Sequence, residues 1–311
     1  MSDSFDVTHC TAAVRPAALR LLHDGLPEEQ QSALVHALNS TRPDCEEDFA
    51  GLLVAIDPAE ELLGAIWVQL APGNTAVVWP PASDSLAAVA LLQAAAEFID
   101  QQQLALAQLL ISPDSSMKSS LLSSAGFRVL AHLAYLTIDK QFFPGTKPLS
   151  DLQFLPRAND DPGRLGGLLM RTYEGTLDCP ELNGVRRPEE IIEGYAEQGA
   201  FSPQLWFIAS YKQQDIGALI LTEHAEGENW ELVYMGVIPE GRGQGFGWQI
   251  VQFALWQAGL AGAQRLVLAV DEENSHALQV YRRAGFIVWD RRTVFARLRR
   301  SKSNGIPEQP L

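Results

Sequence analysis

Hydrophobic positions in the second half of the chain switch repeatedly between two periods. Residues 205–211 (LWFIASY) and 216–223 (IGALILTE) are apolar runs of strand length, separated by a polar turn at 212–215. Residues 230–238 and 265–270 are further strands by the same criterion. Residues 164–174, 188–198 and 246–261 carry the longer spacing of helices. In the first half, an alanine- and leucine-rich helical stretch at 85–103 precedes a strand at 106–111. Helices alternating with strands predict an α/β (α+β) fold, a mixed sheet with helices packed on it.

The two halves echo each other. In the first, the strand LAQLLI (106–111) is followed by a polar turn, a short helical stretch and Ala125-Gly126-Phe127. In the second, RLVLAV (265–270) is followed by a polar turn, a helical stretch and Ala284-Gly285-Phe286. A repeated unit of this length predicts two tandem copies of one fold. Residues 1–140 form the first domain on this reading. A stretch with two prolines and a glycine (DKQFFPGTKPLSD, 139–151) contains the linker, 141–151. Residues 152–300 form the second domain, and the polar tail 301–311 is expected to be disordered.

Composition narrows the class of protein. A chain of 311 residues has room for two ordinary domains. Its three cysteines, Cys10, Cys45 and Cys179, are too scattered for a disulfide framework or a CxxC metal site, and they suit a reducing cytoplasm. No apolar run reaches the roughly 18 residues of a membrane helix. The N-terminus lacks a basic segment leading into an apolar one. A cytoplasmic protein without a membrane partner is therefore expected. The formal charge of −15 repels phosphate backbones, so nucleic acid is not an expected partner, whereas a cationic small molecule is compatible with it. The six histidines show no HExxH spacing, and no metal is expected. His224 reads as a turn residue and His276 as part of a charged helix face. The oligomeric state is open.

The most specific chemistry lies in Val237-Ile-Pro-Glu-Gly-Arg-Gly-Gln-Gly-Phe-Gly247, between a strand and a helix. Gly243, Gly245 and Gly247 let the backbone curl so that several N–H groups meet one anion, and the helix N-terminus adds partial positive charge. A Rossmann GxGxxG fails, because Phe246 or Trp248 falls where the third glycine belongs. No Gly-Lys-Ser/Thr exists, so this is not a P-loop. What fits is Arg242-x-x-Gly245-x-Gly247. After the next strand comes Asn274-x-x-Ala277-x-x-x-Tyr281-x-x-x-Gly285-Phe286. Asn274 is a helix cap, Asn274, Ala277, Leu278 and Tyr281 share one helix face, and Gly285 stops the helix.

These two motifs, in this order and spacing, closely resemble the GNAT superfamily of N-acetyltransferases. The resemblance covers about 153–299, with 231–286 as its diagnostic part. It implies an acetyl-CoA-dependent N-acyltransferase. The pyrophosphate of coenzyme A would lie on Arg242, Gly243, Gln244, Gly245, Phe246, Gly247 and Trp248. The strand end Met235, Gly236 and Val237 would pair with its pantetheine. Asn274 would contact the cofactor, and Tyr281, near its sulfur, would act as catalytic acid. In one branch of the family a glutamate at the start of this strand deprotonates the amine, and Glu231 matches it. Glu231 alternates with Val233 and Met235, so it shares a strand face with apolar groups. Glu223 and Glu228 are rivals, and a water could relay the proton from any of the three.

The first half lacks these features. Pro80 and Pro81 remove N–H donors where a cradle would need them. Counting back from Ala-Gly-Phe, Leu122 stands for Tyr281 and Ser115 for Asn274. The first domain is thus read as a degenerate copy beside a catalytic second domain, an arrangement found among tandem members of the family. The segment 172–183 should meet the acceptor, an amine of a small molecule or peptide, and Tyr173, Glu174, Asp178 and Asn183 would suit it. Direct attack in a ternary complex is expected. A non-catalytic acyl-CoA sensor or scaffold is the alternative.

Overall fold

The computed structural model describes residues 5–83, 85–157, 162–224 and 229–299. The tail 301–311 and Glu228 lie outside the described residues. The chain gathers into two compact units, each drawn from separated segments.

The first unit runs to Leu109 and also takes Ser116–Arg128 and the chain from Ala296 on. It contains β1 (Asp6–His9), α1 (Arg15–Gly25), α2 (Glu28–Asn39), β2 (Leu52–Ile56), β3 (Leu62–Ala71), β4 (Thr75–Trp79), α3 (Ala88–Gln101), most of β5 (Leu106–Ile111) and α4 (Ser119–Ser124). The helix read at 85–103 is α3, which starts later because residues 85–87 make turn bonds first. The strands lie in the order β1-β2-β3-β4-β5, antiparallel except for the parallel pair β4–β5, which α3 connects. Trp67, Leu22, Leu34 and Leu52 fill its core.

The second unit holds Leu110–Ser115 and Val129–Phe295. Its elements are β6 (Arg128–Asp139), β7 (Gln153–Pro156), α5 (Pro162–Tyr173), α6 (Pro188–Ala196), β8 (Trp206–Tyr211), β9 (Gln214–His224), β10 (Asn229–Val237), α7 (Phe246–Leu260), β11 (Arg265–Asp271), α8 (Ser275–Ala284) and β12 (Ile287–Leu298). The strand order is β12-β6-β11-β10-β9-β8-β7. The sheet is mixed and mostly antiparallel, with helices packed on it. Here too one parallel pair, β10–β11, is bridged by a helix, α7. The repeat seen in the sequence is thus a repeat of architecture. β6 is contributed by the first half of the sequence, yet it pairs antiparallel with β11 from Arg265↔Asp139 to Asp271↔Leu133. Leu266, Leu268 and Val270 of β11 are buried while Ala269 is exposed, the alternation of a strand covered by helices on one face.

One irregularity shapes the site. The register between β10 and β9 shifts between Leu232 and Tyr234, a bulge at Val233. The parallel pairing of β10 with β11 covers only Asn229, Trp230 and Glu231. Beyond Glu231 the two strands part, and the β11-facing edge of β10 from Leu232 to Val237 is left to other partners.

Candidate active site

Where β10 and β11 diverge, the structure opens a cavity of about 760 Å³. Its walls come from four places. β10 supplies Leu232 to Val237, and the glycine loop with the start of α7 supplies Arg242, Gly243, Gly245, Phe246, Gly247 and Trp248. α8 and its cap supply Asn274, Ala277, Val280 and Tyr281, and the loop after α5 supplies Gly175, Thr176, Leu177 and Asp178.

The loop has the backbone that its glycines allow. Gly243 has φ +76° and Gly245, the N-cap of α7, φ +80°. A Cβ at either would meet no atom within 4 Å, so the loop is open on the side where an anion would lie. The first N–H groups of α7, at Phe246 and after, have no intrahelical partner. Buried Phe246 anchors the turn against Tyr211, with ring centres 5.1 Å apart. Trp248 carries the Arg283 guanidinium over its ring at 4.1 Å. Gln244 turns away from the cavity wall and donates to the Glu240 carbonyl at 2.8 Å.

Arg242 is exposed in the cavity wall and also engages the backbone around it. Its guanidinium donates to the carbonyls of Val237 (3.1 Å), Gly175 (3.0 Å) and Thr172 (3.0 Å). A hydrogen bond to a charged group is worth about 1.5–3 kcal/mol, so these bonds tie the side chain to the end of β10, to α5 and to the loop after it. Gly236 has a packing reason as well: a Cβ there would press on the Thr172 Cβ at 2.8 Å. Thr172 and Tyr234 share a hydroxyl hydrogen bond of 2.6 Å across the same contact.

Asn274 caps α8, its Oδ1 accepting the Ala277 N–H at 3.2 Å. Gly285, at φ +98°, ends the helix, and the Phe286 N–H returns to the Tyr281 carbonyl. Tyr281 is 5 % exposed and packs edge-on against Phe286. Its hydroxyl has no hydrogen-bond partner among the described residues, and it forms part of the cavity wall. Burial, then the nearby Asp178 carboxylate, pushes the phenol well above its ordinary value. It therefore keeps its proton at neutral pH.

The remaining candidates separate. Glu231 is partly buried on β10 but is not part of the cavity wall, and its carboxylate faces His224 Nε2 at 2.7 Å. His224 is the last residue of β9, paired with Asn229, rather than a turn residue as its sequence context implied. Donating to the Glu231 carboxylate favours the protonated imidazole and raises it above the ordinary value. Glu223 is exposed and pairs with Trp230. Tyr173 belongs to an aromatic cluster, its hydroxyl 2.7 Å from that of Tyr195 and its ring 5.5 Å from Tyr234. Glu174 and Asn183 are exposed and outside the cavity wall. Asp178 alone of the four proposed acceptor residues lines it.

Cys179 follows in the left-handed region (φ +46°). Its N–H donates to Asp271 Oδ2 at 3.2 Å, while the Asp271 N–H donates to Asp178 Oδ1 at 3.0 Å. Burial, with Asp178 and Asp271 beside it, pushes the Cys179 thiol up to about 12. A thiol in that state is a poor nucleophile. Among the described residues no group of three His, Cys, Asp or Glu is arranged to hold a metal, and no helix is long and apolar enough to cross a membrane.

This geometry agrees with the family comparison. The acetyltransferase (GNAT) family model matches residues 170–286, from the end of α5 to the turn after α8. Over that segment the chain is similar to the GNAT family. The curated relatives are mycothiol acetyltransferases. One from Corynebacterium efficiens is 25 % identical over 149 residues, 44 % of this chain and 50 % of the relative. One from Nocardiopsis dassonvillei is 31 % identical over 127 residues, 38 % of each chain. The chain thus spans about half the length or less of these two relatives. Among solved structures, a GCN5-related N-acetyltransferase from Sphaerobacter thermophilus superposes with a TM-score of 0.61 at 19 % identity, covering 97 % of this chain and 98 % of that one. A tandem GNAT protein from the clavulanic acid biosynthesis pathway superposes with a TM-score of 0.51 at 14 % identity, covering 96 % and 100 %. These likenesses establish the tandem fold.

Proposed function

We propose that the protein is an N-acetyltransferase that moves the acetyl group of acetyl-CoA directly to an amine, with the chemistry in 152–300 and a degenerate copy in 1–140. The observation that carries this is the Tyr281 hydroxyl. The residue is buried, but its hydroxyl has no hydrogen-bond partner among the described residues and opens onto the same cavity as the glycine loop at the start of α7. The residues fit the cofactor. The N–H groups after Gly243 would hold its pyrophosphate, and the unpaired edge of Met235 to Val237 would take the pantetheine amides. Asn274 flanks the same cavity.

Acetyl-CoA, when bound, supplies an activated acetyl group as a thioester. Backbone N–H groups of Met235 to Val237 would stabilise charge on the reacting carbonyl oxygen, a contribution that depends on donors fixed before the reaction. Tyr281 would give its proton to the departing sulfur. Glu231, the base suggested by the sequence, stands behind the cavity wall with His224 and would act through water. The buried Cys179 thiol speaks for direct transfer rather than an acyl-enzyme. The first half supports its reading as degenerate. β4 and β5 part after three paired residues, as β10 and β11 do, but Pro80 and Pro81 follow β4 where the second unit has its glycine loop.

Thiol release from acetyl-CoA, measured against a panel of amines, tests the function. The panel includes the amine acceptor of a mycothiol acetyltransferase. Release should rise with at least one amine, with no acetyl group on Cys179 by mass spectrometry. Slow release that no amine stimulates would favour the non-catalytic sensor, and an acetylated Cys179 would overturn direct transfer.

A further inference from the structure

An amine reaches the enzyme as an ammonium ion, and two carboxylates compete for its proton. Glu231 is outside the cavity wall and engaged by His224. Asp178 is in the wall, beside Tyr281 and Asn274. Its position is built rather than accidental. Asp271, 4 % exposed, ties the loop down by accepting the Cys179 N–H and donating its own N–H to Asp178 Oδ1. The Asn274 side chain lies close enough to the Asp178 carboxylate to favour its charged form. From the other side Arg242 pins Gly175 and Thr172. The loop is therefore fixed at both ends, with Asp178 near Tyr281, whose hydroxyl has no partner among the described residues, in the wall of one cavity. Asp178 leaves much of its surface open to that cavity, while the surrounding protein still desolvates the carboxyl.

We propose that Asp178 binds the ammonium group of the acceptor and takes its proton, which makes the site selective for amines that arrive charged. This rests on the acyl-transfer function proposed above. One N–H proton of the ammonium passes to the Asp178 carboxylate and then to solvent. The freed nitrogen pair forms the C–N bond, and the C–S bond breaks with its electrons on sulfur. Tyr281 protonates the sulfur and is recharged by the proton that the acylated nitrogen sheds. The products are an amide, a thiol and one proton. The groups that face Asp178 are Asp271 at the end of β11, Cys179 on its own loop, Tyr281 on α8, Tyr234 on β10 and Tyr173 on α5. Burial raises the carboxyl above the ordinary aspartate value, against the pull of the Asp271 N–H, which favours the charged form. The acidic limb of kcat/KM for the amine should accordingly lie above that value.

The test compares wild type, Asp178→Asn, Asp178→Glu and Glu231→Gln. Thiol release is followed against amine concentration and pH, and acetyl-CoA and amine affinities are measured by calorimetry. Asp178→Asn keeps an oxygen for the Asp271 N–H. It should lose about 10²–10⁴-fold in kcat/KM for the amine, with about tenfold weaker amine binding and acetyl-CoA affinity little changed. The acidic limb should move or vanish, and Asp178→Glu should recover part of the rate. Glu231→Gln should lose clearly less than Asp178→Asn. Asp178→Asn turnover within about threefold of wild type would overturn the assignment, as would a larger loss in Glu231→Gln or a parallel loss of acetyl-CoA affinity. A wild type that no amine stimulates would remove the acyl-transfer function itself, and this assignment with it.

Discussion

Replacing Tyr281 by phenylalanine should lower kcat by about 10²–10⁴-fold, the usual contribution of a positioned general acid. Acetyl-CoA affinity should hardly change, because only a hydroxyl is lost. Two features make this a clean experiment. The hydroxyl has no protein partner among the described residues, so its removal leaves no buried group unsatisfied. The ring keeps its edge-on contact with Phe286, so α8 and its cap should stand as before. Thermal stability should therefore be equal to wild type or slightly higher. A structural tyrosine would give the opposite result, with lowered stability and near-normal turnover. Comparing melting temperature with kcat for the one variant separates the two roles.

Replacing Gly245 by aspartate should weaken acetyl-CoA binding by about a hundredfold, or roughly 3 kcal/mol. A Cβ added there meets no neighbour within 4 Å, so crowding at the backbone is not the cause. Two other effects act. The N-cap sits at φ +80°, where a side chain costs about 1–2 kcal/mol. The new carboxylate also stands at the helix N-terminus, where it would occupy the N–H groups that a pyrophosphate needs. Gly245→Ala separates these, since alanine brings the backbone strain without the charge. The aspartate variant should bind much more weakly than the alanine variant, as read by calorimetric titration. Equal affinities would mean that no anion sits on this loop.

The parts of the site legible in the sequence are those encoded within one turn of chain. Positive φ at Gly243, Gly245 and Gly285 follows from residue type. The face shared by Asn274, Ala277 and Tyr281 follows from helical spacing, and β8 to α8 follow from hydrophobic period. What was not legible depends on residues far apart in sequence. Nothing local tells that β6 pairs with β11, since its apolar alternation would suit any sheet. His224 looked like a turn residue because the cross-strand pairing that extends β9 to it, and sets it on Glu231, is invisible from one strand. The motif marks Arg242 but gives no sign of its three carbonyl acceptors, two of them about seventy residues away. Tyr173 looked available to an acceptor because Tyr195 and Tyr234 are brought to it only by packing of α5, α6 and β10. The same packing leaves Asp178 in the cavity wall, and the parting of β10 from β11 that makes the cavity is set by a bulge without a glycine or proline to mark it.

Calorimetric titration of the wild-type chain with acetyl-CoA tests most directly whether the cavity at the start of α7 is a cofactor site and its counterpart in the first half is not. Saturation at one acetyl-CoA per chain, with a dissociation constant of about micromolar order, is the expected result. No binding at about millimolar ligand, or two equivalents bound per chain, would contradict it.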